Sequence, residues 1–137
     1  MTKERLRRYR DQQRELAHVR EKIETLEAAL FAPKAQRLTG MPASPSKSRN
    51  SAEDLADRHV ELLDHYNALA VELAAEQLAI EQAIASLESV ERDLMRYHYI
   101  DGLPWTTVCD RINYSWTQTH RIHARALLKL REEKTAL

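Results

Sequence analysis

Residues 104–130 read PWTTVCDRINYSWTQTHRIHARALLKL, and this stretch carries the clearest helix-start and helix-end signals in the chain. Proline is well tolerated at the first position of a helix, so Pro104 predicts a helix start. Asn113 follows the last apolar residue of that helix and is, after glycine, the residue best able to adopt a left-handed turn. Ser115 and Gln118 then match the capping-box pattern that begins a second helix. A short helix, a tight turn and a second helix together form a helix-turn-helix layout.

The second of these helices has two different faces. Its outward face includes the residues at the start of the helix. This position suits DNA binding, because recognition helices insert their first turns into the major groove of DNA. Gln118 can pair with adenine and Arg121 with guanine through two hydrogen bonds, whereas Arg125 and Lys129 are expected near phosphates. Its inward face is apolar and packs on the first helix; the inward residues of the two helices are Val108, Ile112, Ile122, Ala126 and Leu130. The candidate DNA-binding residues are Trp116, Thr117, Gln118, His120, Arg121, Arg125 and Lys129.

Two longer helical segments precede this layout. From Leu16 onward, residues 2–31 carry apolar residues three and four apart, and Pro33 ends that helix. Residues 51–88, capped at Ser51, repeat the spacing and would form a helix about 57 Å long. No small globular core covers such a length. We therefore expect an antiparallel coiled-coil hairpin that also makes the protein a homo-oligomer.

Glu76 interrupts the apolar seam of the second long helix. Three explanations are open: it sets the register, it pairs with a basic residue of the first helix, or the seam shifts onto Gln77. A shorter amphipathic helix then follows from Ser89 and ends at Asp101-Gly102, since glycine after the last periodic residue stops a helix.

The net charge of zero conceals a segregation of charge along the chain. Residues 1–50 carry 12 basic and 6 acidic side chains, residues 51–93 carry 2 and 11, and residues 94–137 carry 7 and 4. The first two segments can attract each other, and one basic end can meet nucleic acid; both explanations can hold at once.

The pattern divides the chain into four parts. These are an N-terminal coiled-coil helix (1–31), a basic Pro/Ser linker (32–50), a long coiled-coil helix (51–88) and a helix-turn-helix DNA-binding domain (89–137). The linker contains no acidic residue. Its basic residues serve either solubility or contact with phosphate, and they are Lys34, Arg37, Lys47 and Arg49.

Several other classes of function lack residues to support them. The single cysteine, Cys109, excludes a disulfide framework, and no catalytic constellation or glycine-rich phosphate loop occurs. His120 and His123 are three apart but have no further metal ligands nearby. No apolar run approaches a membrane span, and residues 1–16 lack the apolar core of a secretory signal. We expect a cytoplasmic, non-enzymatic protein without metal or cofactor.

Residues 95–131, MRYHYIDGLPWTTVCDRINYSWTQTHRIHARALLKLR, resemble region four of bacterial sigma factors. Over most of its length the chain is more similar to phage and prophage regulators of the ArpU and RinA type, including a Met-Pro step in the linker (Met41-Pro42). The resemblance implies a DNA-binding regulator of phage late or packaging genes in a bacterial host. Since region four of sigma factors also touches RNA polymerase, polymerase contact is open.

Two residues depart from that pattern, and two rival functions remain. Thr119 stands where the family usually has Val, and Asn113 where it has Gly; a buried threonine hydroxyl would need a partner. One rival is a small terminase subunit, which also joins a helix-turn-helix to an oligomerising helical part. The other is an adaptor that binds polymerase or another protein without reading DNA.

Overall fold

The computed structural model describes the backbone of residues 1–32 and 45–135 and the side chains of residues 1–32 and 51–132. Within these ranges the chain is all-helical and contains no strand, which confirms the prediction of an all-α protein. The elements are α1 (Lys3–Leu30), α2 (Pro45–Ile84), α3 (Ser89–Met95), a π-helical turn (Arg96–Ile100), α4 (Trp105–Ile112) and α5 (Trp116–Thr135).

The second long helix differs from its prediction at both ends. It begins at Pro45 rather than Ser51, because proline is compatible with a first helical position, so the predicted cap at Ser51 is wrong. It ends at Ile84 rather than Glu88, since the Leu87 N–H donates to the Ile84 carbonyl (3.1 Å) and Glu88 adopts extended backbone. The predicted linker spans residues 32–50, but residues 45–50 form the first part of α2, so the prediction is wrong there. Residues 33–44, and any phosphate contact by the side chains of the four basic linker residues, lie outside the described part of the chain.

The chain divides into two compact units, a middle unit (Arg14–Val71) and a terminal unit (Met1–Gln13 with Glu72–Leu137). In the middle unit, Arg20 Nη2 donates to the Tyr66 hydroxyl at 3.1 Å, and Glu27 Oε1 lies 3.0 Å from His59 Nε2. Because the later residue of α1 meets the earlier residue of α2, the two helices run antiparallel here. The buried residues of α1 in this unit are Val19, Ile23 and Leu26.

In the terminal unit, the start of α1 packs with the end of α2 and with the elements that follow. Arg5 Nη2 donates to Glu76 Oε2 at 3.2 Å, beside a second bond from Arg5 Nε to Oε1. Of the three explanations for Glu76, pairing with a basic residue of the first helix is the one observed. Large side chains that are fully buried in this unit are Leu6, Tyr9, Ile80, Ile84, Leu94, Met95, Tyr99, Val108 and Leu130.

Candidate nucleic-acid interface

The turn between α4 and α5 has the geometry that its residues predict. Asn113 ends α4 in the left-handed region (φ 64°), where asparagine is tolerated better than most residues. Ser115 Oγ accepts a hydrogen bond from the Gln118 N–H at 3.2 Å and so caps α5. Gly102, also at positive φ (72°), lies between the π-helical turn and α4 as expected for a helix stop.

The two faces of α5 differ sharply in exposure. Ile122, Ala126 and Leu130 are buried, as is Val108 of α4, which confirms the predicted inward face; Ile112 is half-buried. On the opposite side the first turns of α5 are open to solvent. The candidate residues exposed there are Trp116, Thr117, Gln118, Arg121 and Arg125.

Three of these exposed residues line one groove. Gln118, Arg121 and Arg125 line a groove of about 340 Å³ together with Glu88 and Tyr114. The spacing of three and four residues brings the amide and both guanidinium groups to one helix face. This face can donate hydrogen bonds to base edges and to phosphates.

Lys129 lies in a different environment from the other candidates. Its ammonium donates to Glu91 Oε1 at 2.7 Å and lies 3.8 Å from Glu88 Oε1. Glu91 is fully buried on α3, and its Oε1 also accepts the Glu88 N–H at 3.2 Å. Lys129 therefore compensates a buried carboxylate, and the structure does not group it with the exposed cations of α5.

His120 also departs from the exposed set. It is half-buried, and its ring lies 4.9 Å from the Trp105 ring and 4.5 Å from the Trp116 ring, measured between centroids. His120 Nε2 is buried with no hydrogen-bond partner among the described residues. Trp116, 54% exposed, thus uses one side of its indole to pack on His120 and presents the rest to solvent.

A cluster of rings joins α4, α5 and the π-helical turn. Trp105 stacks on His98 at 3.8 Å and contacts the His123 ring at 4.6 Å. His98 Nδ1 donates to the Leu103 carbonyl at 2.9 Å, which fixes the ring against the loop before α4. Trp105 is therefore a packing residue of this cluster.

Within this cluster, Tyr99 and His123 form a buried hydrogen bond. Their Oη and Nε2 atoms are 2.7 Å apart. Burial, together with the positive charges of His98, Lys3 and other neighbours, lowers the pKa of His123 to about 4. Burial raises the pKa of Tyr99 to about 12. The neutral imidazole accepts a hydrogen bond from the Tyr99 hydroxyl, so this histidine is a packed core residue and not a solvated one.

Thr119 occupies the buried face of α5. It is fully buried, and its hydroxyl oxygen has no hydrogen-bond partner among the described residues. This is the position where the sigma-like pattern carries Val. The sequence predicts that a buried Thr119 hydroxyl needs a hydrogen-bond partner, and no described residue provides one. The unpaired hydroxyl therefore destabilises the core.

Sequence reasoning missed Glu91, although a signal for it exists. Glu91 precedes Leu94 by three residues and Met95 by four, which places the carboxylate on the apolar face of α3. A charged residue on an apolar face is rarely buried unless it is paired, so this position predicts an oppositely charged partner on another helix. The ring cluster has no such signal in the sequence, because its members are spread over residues 98–123 without a helical spacing that joins them.

Comparison of the chain with family models, curated proteins and solved structures found no match. Among the described residues, no three His, Cys, Asp or Glu side chains are placed to share a metal ion. Every helix in the described part of the chain is too short or too polar to span a membrane.

Proposed function

We propose that this protein binds double-stranded DNA sequence-specifically and regulates transcription. The observation that carries the proposal is the two-faced character of α5. Ile122 and Ala126 hold the helix through its buried face, while Gln118 and Arg121 stand exposed in its first two turns. A helix anchored in this way, with hydrogen-bonding side chains at its start, suits reading of the major groove.

In this proposal α4 and α5 are a helix-turn-helix similar to region four of sigma factors. Gln118 and Arg121 read base edges, and Arg125 contacts a phosphate. The ion pair between Lys129 and buried Glu91 argues for leaving Lys129 out of the interface. The regulated genes would be phage late or packaging genes, by the resemblance to regulators of the ArpU and RinA type.

We further propose that α1 and α2 form a coiled-coil hairpin through which the protein self-associates. The antiparallel contacts between Arg20 and Tyr66 and between Glu27 and His59 support the hairpin. Val60 and Val71 are 56% and 71% exposed although apolar. They are eleven residues, or about three helical turns, apart and so share a face that a second copy can cover.

Binding is tested with duplexes selected from a random library by the purified protein. The selected duplex should bind at least about tenfold more tightly than a scrambled one. Affinity should fall with salt along a log–log slope of about −4 to −5 if roughly five phosphates are contacted. Equal binding of both duplexes argues against sequence reading, and binding to purified RNA polymerase without duplex binding would support the adaptor alternative.

The molecular mass in solution tests self-association. We expect a small oligomer whose mass falls in the Val60→Asp and Val71→Asp variants, because a charge enters an apolar contact. A monomeric wild type would contradict self-association. A ring of many subunits would favour the terminase-like alternative.

A further inference from the structure

We propose that the start of α1 provides a second contact to the DNA backbone, through Arg7 and Arg10 in a groove beside α4. This inference rests on the proposed function, since the ligand is the same duplex. It adds a phosphate-binding surface that is more than one hundred residues away from the recognition helix in sequence.

The groove lies within the terminal unit and measures about 500 Å³. Arg10 Nη2 donates to the Gly102 carbonyl at 3.3 Å, which holds that side chain beside the loop before α4. The exposed side chain of Arg7 makes no ion pair or hydrogen bond with any described residue. The lining residues are Arg7, Arg10, Asp11, His98, Tyr99, Pro104 and Trp105.

The charge of this segment favours an anion. Residues 3–10 contain five basic side chains and one acidic side chain. Of the basic ones, Arg5 forms an ion pair with Glu76. The positive potential of this segment extends to buried side chains. The charges of Lys3 and Arg7 help to lower the pKa of His123, and the charge of Arg7 also acts to lower the pKa of Tyr99, against the larger raising effect of burial. Asp11 is the one carboxylate in the lining of the groove.

The adjoining end of α4 adds to this potential. Pro104 precedes α4, and no side chain caps its first N–H groups. Uncapped N–H groups at a helix start carry partial positive charge and suit phosphate oxygens. In a helix-turn-helix the first helix crosses the DNA backbone, so a phosphate at this end of α4 agrees with the proposed docking.

The groove also lies beside the start of α5. Trp105 lines the groove, and its ring contacts His120, whose ring contacts Trp116 at the start of α5. The groove wall thus contacts the recognition helix through the His120 imidazole. Duplex DNA carries one negative charge per about 1.7 Å of its axis, so a duplex docked on α5 also offers phosphates to the surfaces beside it.

The test compares Arg7→Ala with Arg8→Ala in the full chain. Arg8 is the matched control because it is the adjacent arginine, is exposed, and does not line the groove. Arg7→Ala should weaken selected and scrambled duplexes by the same factor, about three- to tenfold at low salt. Its salt slope should be shallower by about 0.9, the loss of one phosphate contact. Arg8→Ala should stay within twofold of wild type.

Further variants separate the possible outcomes. Arg7→Lys keeps the charge and should bind like wild type, and thermal unfolding of every variant shows that the fold is retained. If wild type binds duplex DNA and Arg7→Ala matches Arg8→Ala, this inference is wrong while the proposed function stands. If wild type binds no duplex, both are wrong.

Discussion

The Lys129 ammonium lies 2.7 Å from Glu91 Oε1, and this pair joins the surface of α5 to the interior of α3. The Glu91 side chain is 1% exposed and the Lys129 side chain 38% exposed, so the cation reaches inward from the rim of the core. Glu91 Oε2 is buried with no hydrogen-bond partner among the described residues. Lys129 is therefore the main compensation for the carboxylate.

Removing this lysine should destabilise the fold. We expect Lys129→Ala to lower the free energy of unfolding by about 2–4 kcal/mol, because a buried carboxylate loses its counter-ion. Urea unfolding followed by circular dichroism measures the change. Arg125→Ala, on the same helix but exposed, is the control and should change stability by less than about 0.5 kcal/mol.

The double variant Glu91→Gln/Lys129→Met provides the sharper test of the pair. With the buried charge gone, the loss of the lysine should cost less than it does in wild type, as a double-mutant cycle would show. Equal effects of the lysine substitution in both backgrounds would contradict the pairing.

The buried hydroxyl of Thr119 offers a stabilising substitution. Thr119→Val keeps the shape of the side chain and removes a polar group without a described partner, so unfolding free energy should rise by about 1 kcal/mol. Thr117→Val, an exposed neighbour on the same helix, should have little effect. A loss of stability in Thr119→Val would show that the hydroxyl does have a partner.

His123 should make stability depend on pH. Its pKa is about 4 when folded, against an ordinary value of 6.5, so between these values the unfolded chain binds a proton that the folded chain does not. Stability is therefore full above pH 6.5 and falls as the pH drops towards 4. The total loss from this residue is about 3 kcal/mol, at 1.36 kcal/mol per pH unit.

Chemical unfolding at a series of pH values between 4 and 7 measures this dependence. His123→Leu should flatten the curve in that window, whatever its effect on stability at pH 7. His65→Gln, a substitution of an exposed histidine on α2, should leave the slope unchanged. An unaltered slope in His123→Leu would assign the acid sensitivity to other groups.

The division of roles on α5 is testable by DNA titration. Arg121→Ala should cost about 1–3 kcal/mol on the selected duplex and reduce its preference over a scrambled one. Arg125→Ala should weaken both duplexes about equally, as expected for a phosphate contact. If Arg121→Ala leaves the preference intact, the helix is docked differently or does not read the sequence.

Much of the fold could be predicted because its determinants are local. Asn113 and Ser115 set the turn and the cap through their own backbone and neighbouring N–H groups, and the structure shows both. The 3.6-residue period likewise places Ile122 and Ala126 on one face of α5. The wrong prediction of the α2 start at Ser51 also results from local signals. Pro45 and Ser51 are equally good helix starts, and the residues around them do not favour one over the other.

The amino-acid sequence alone thus determined the helices, the turn and the buried face, since each depends on residues a few positions apart. Which cations are available to a ligand depends instead on the tertiary structure. Lys129 looks like Arg125 in the sequence, but its partner Glu91 is 38 residues away. Arg7 and Trp105 likewise line one groove although they are 98 residues apart in the sequence. The charge of a side chain is local, whereas its burial and its partners depend on contacts between distant segments.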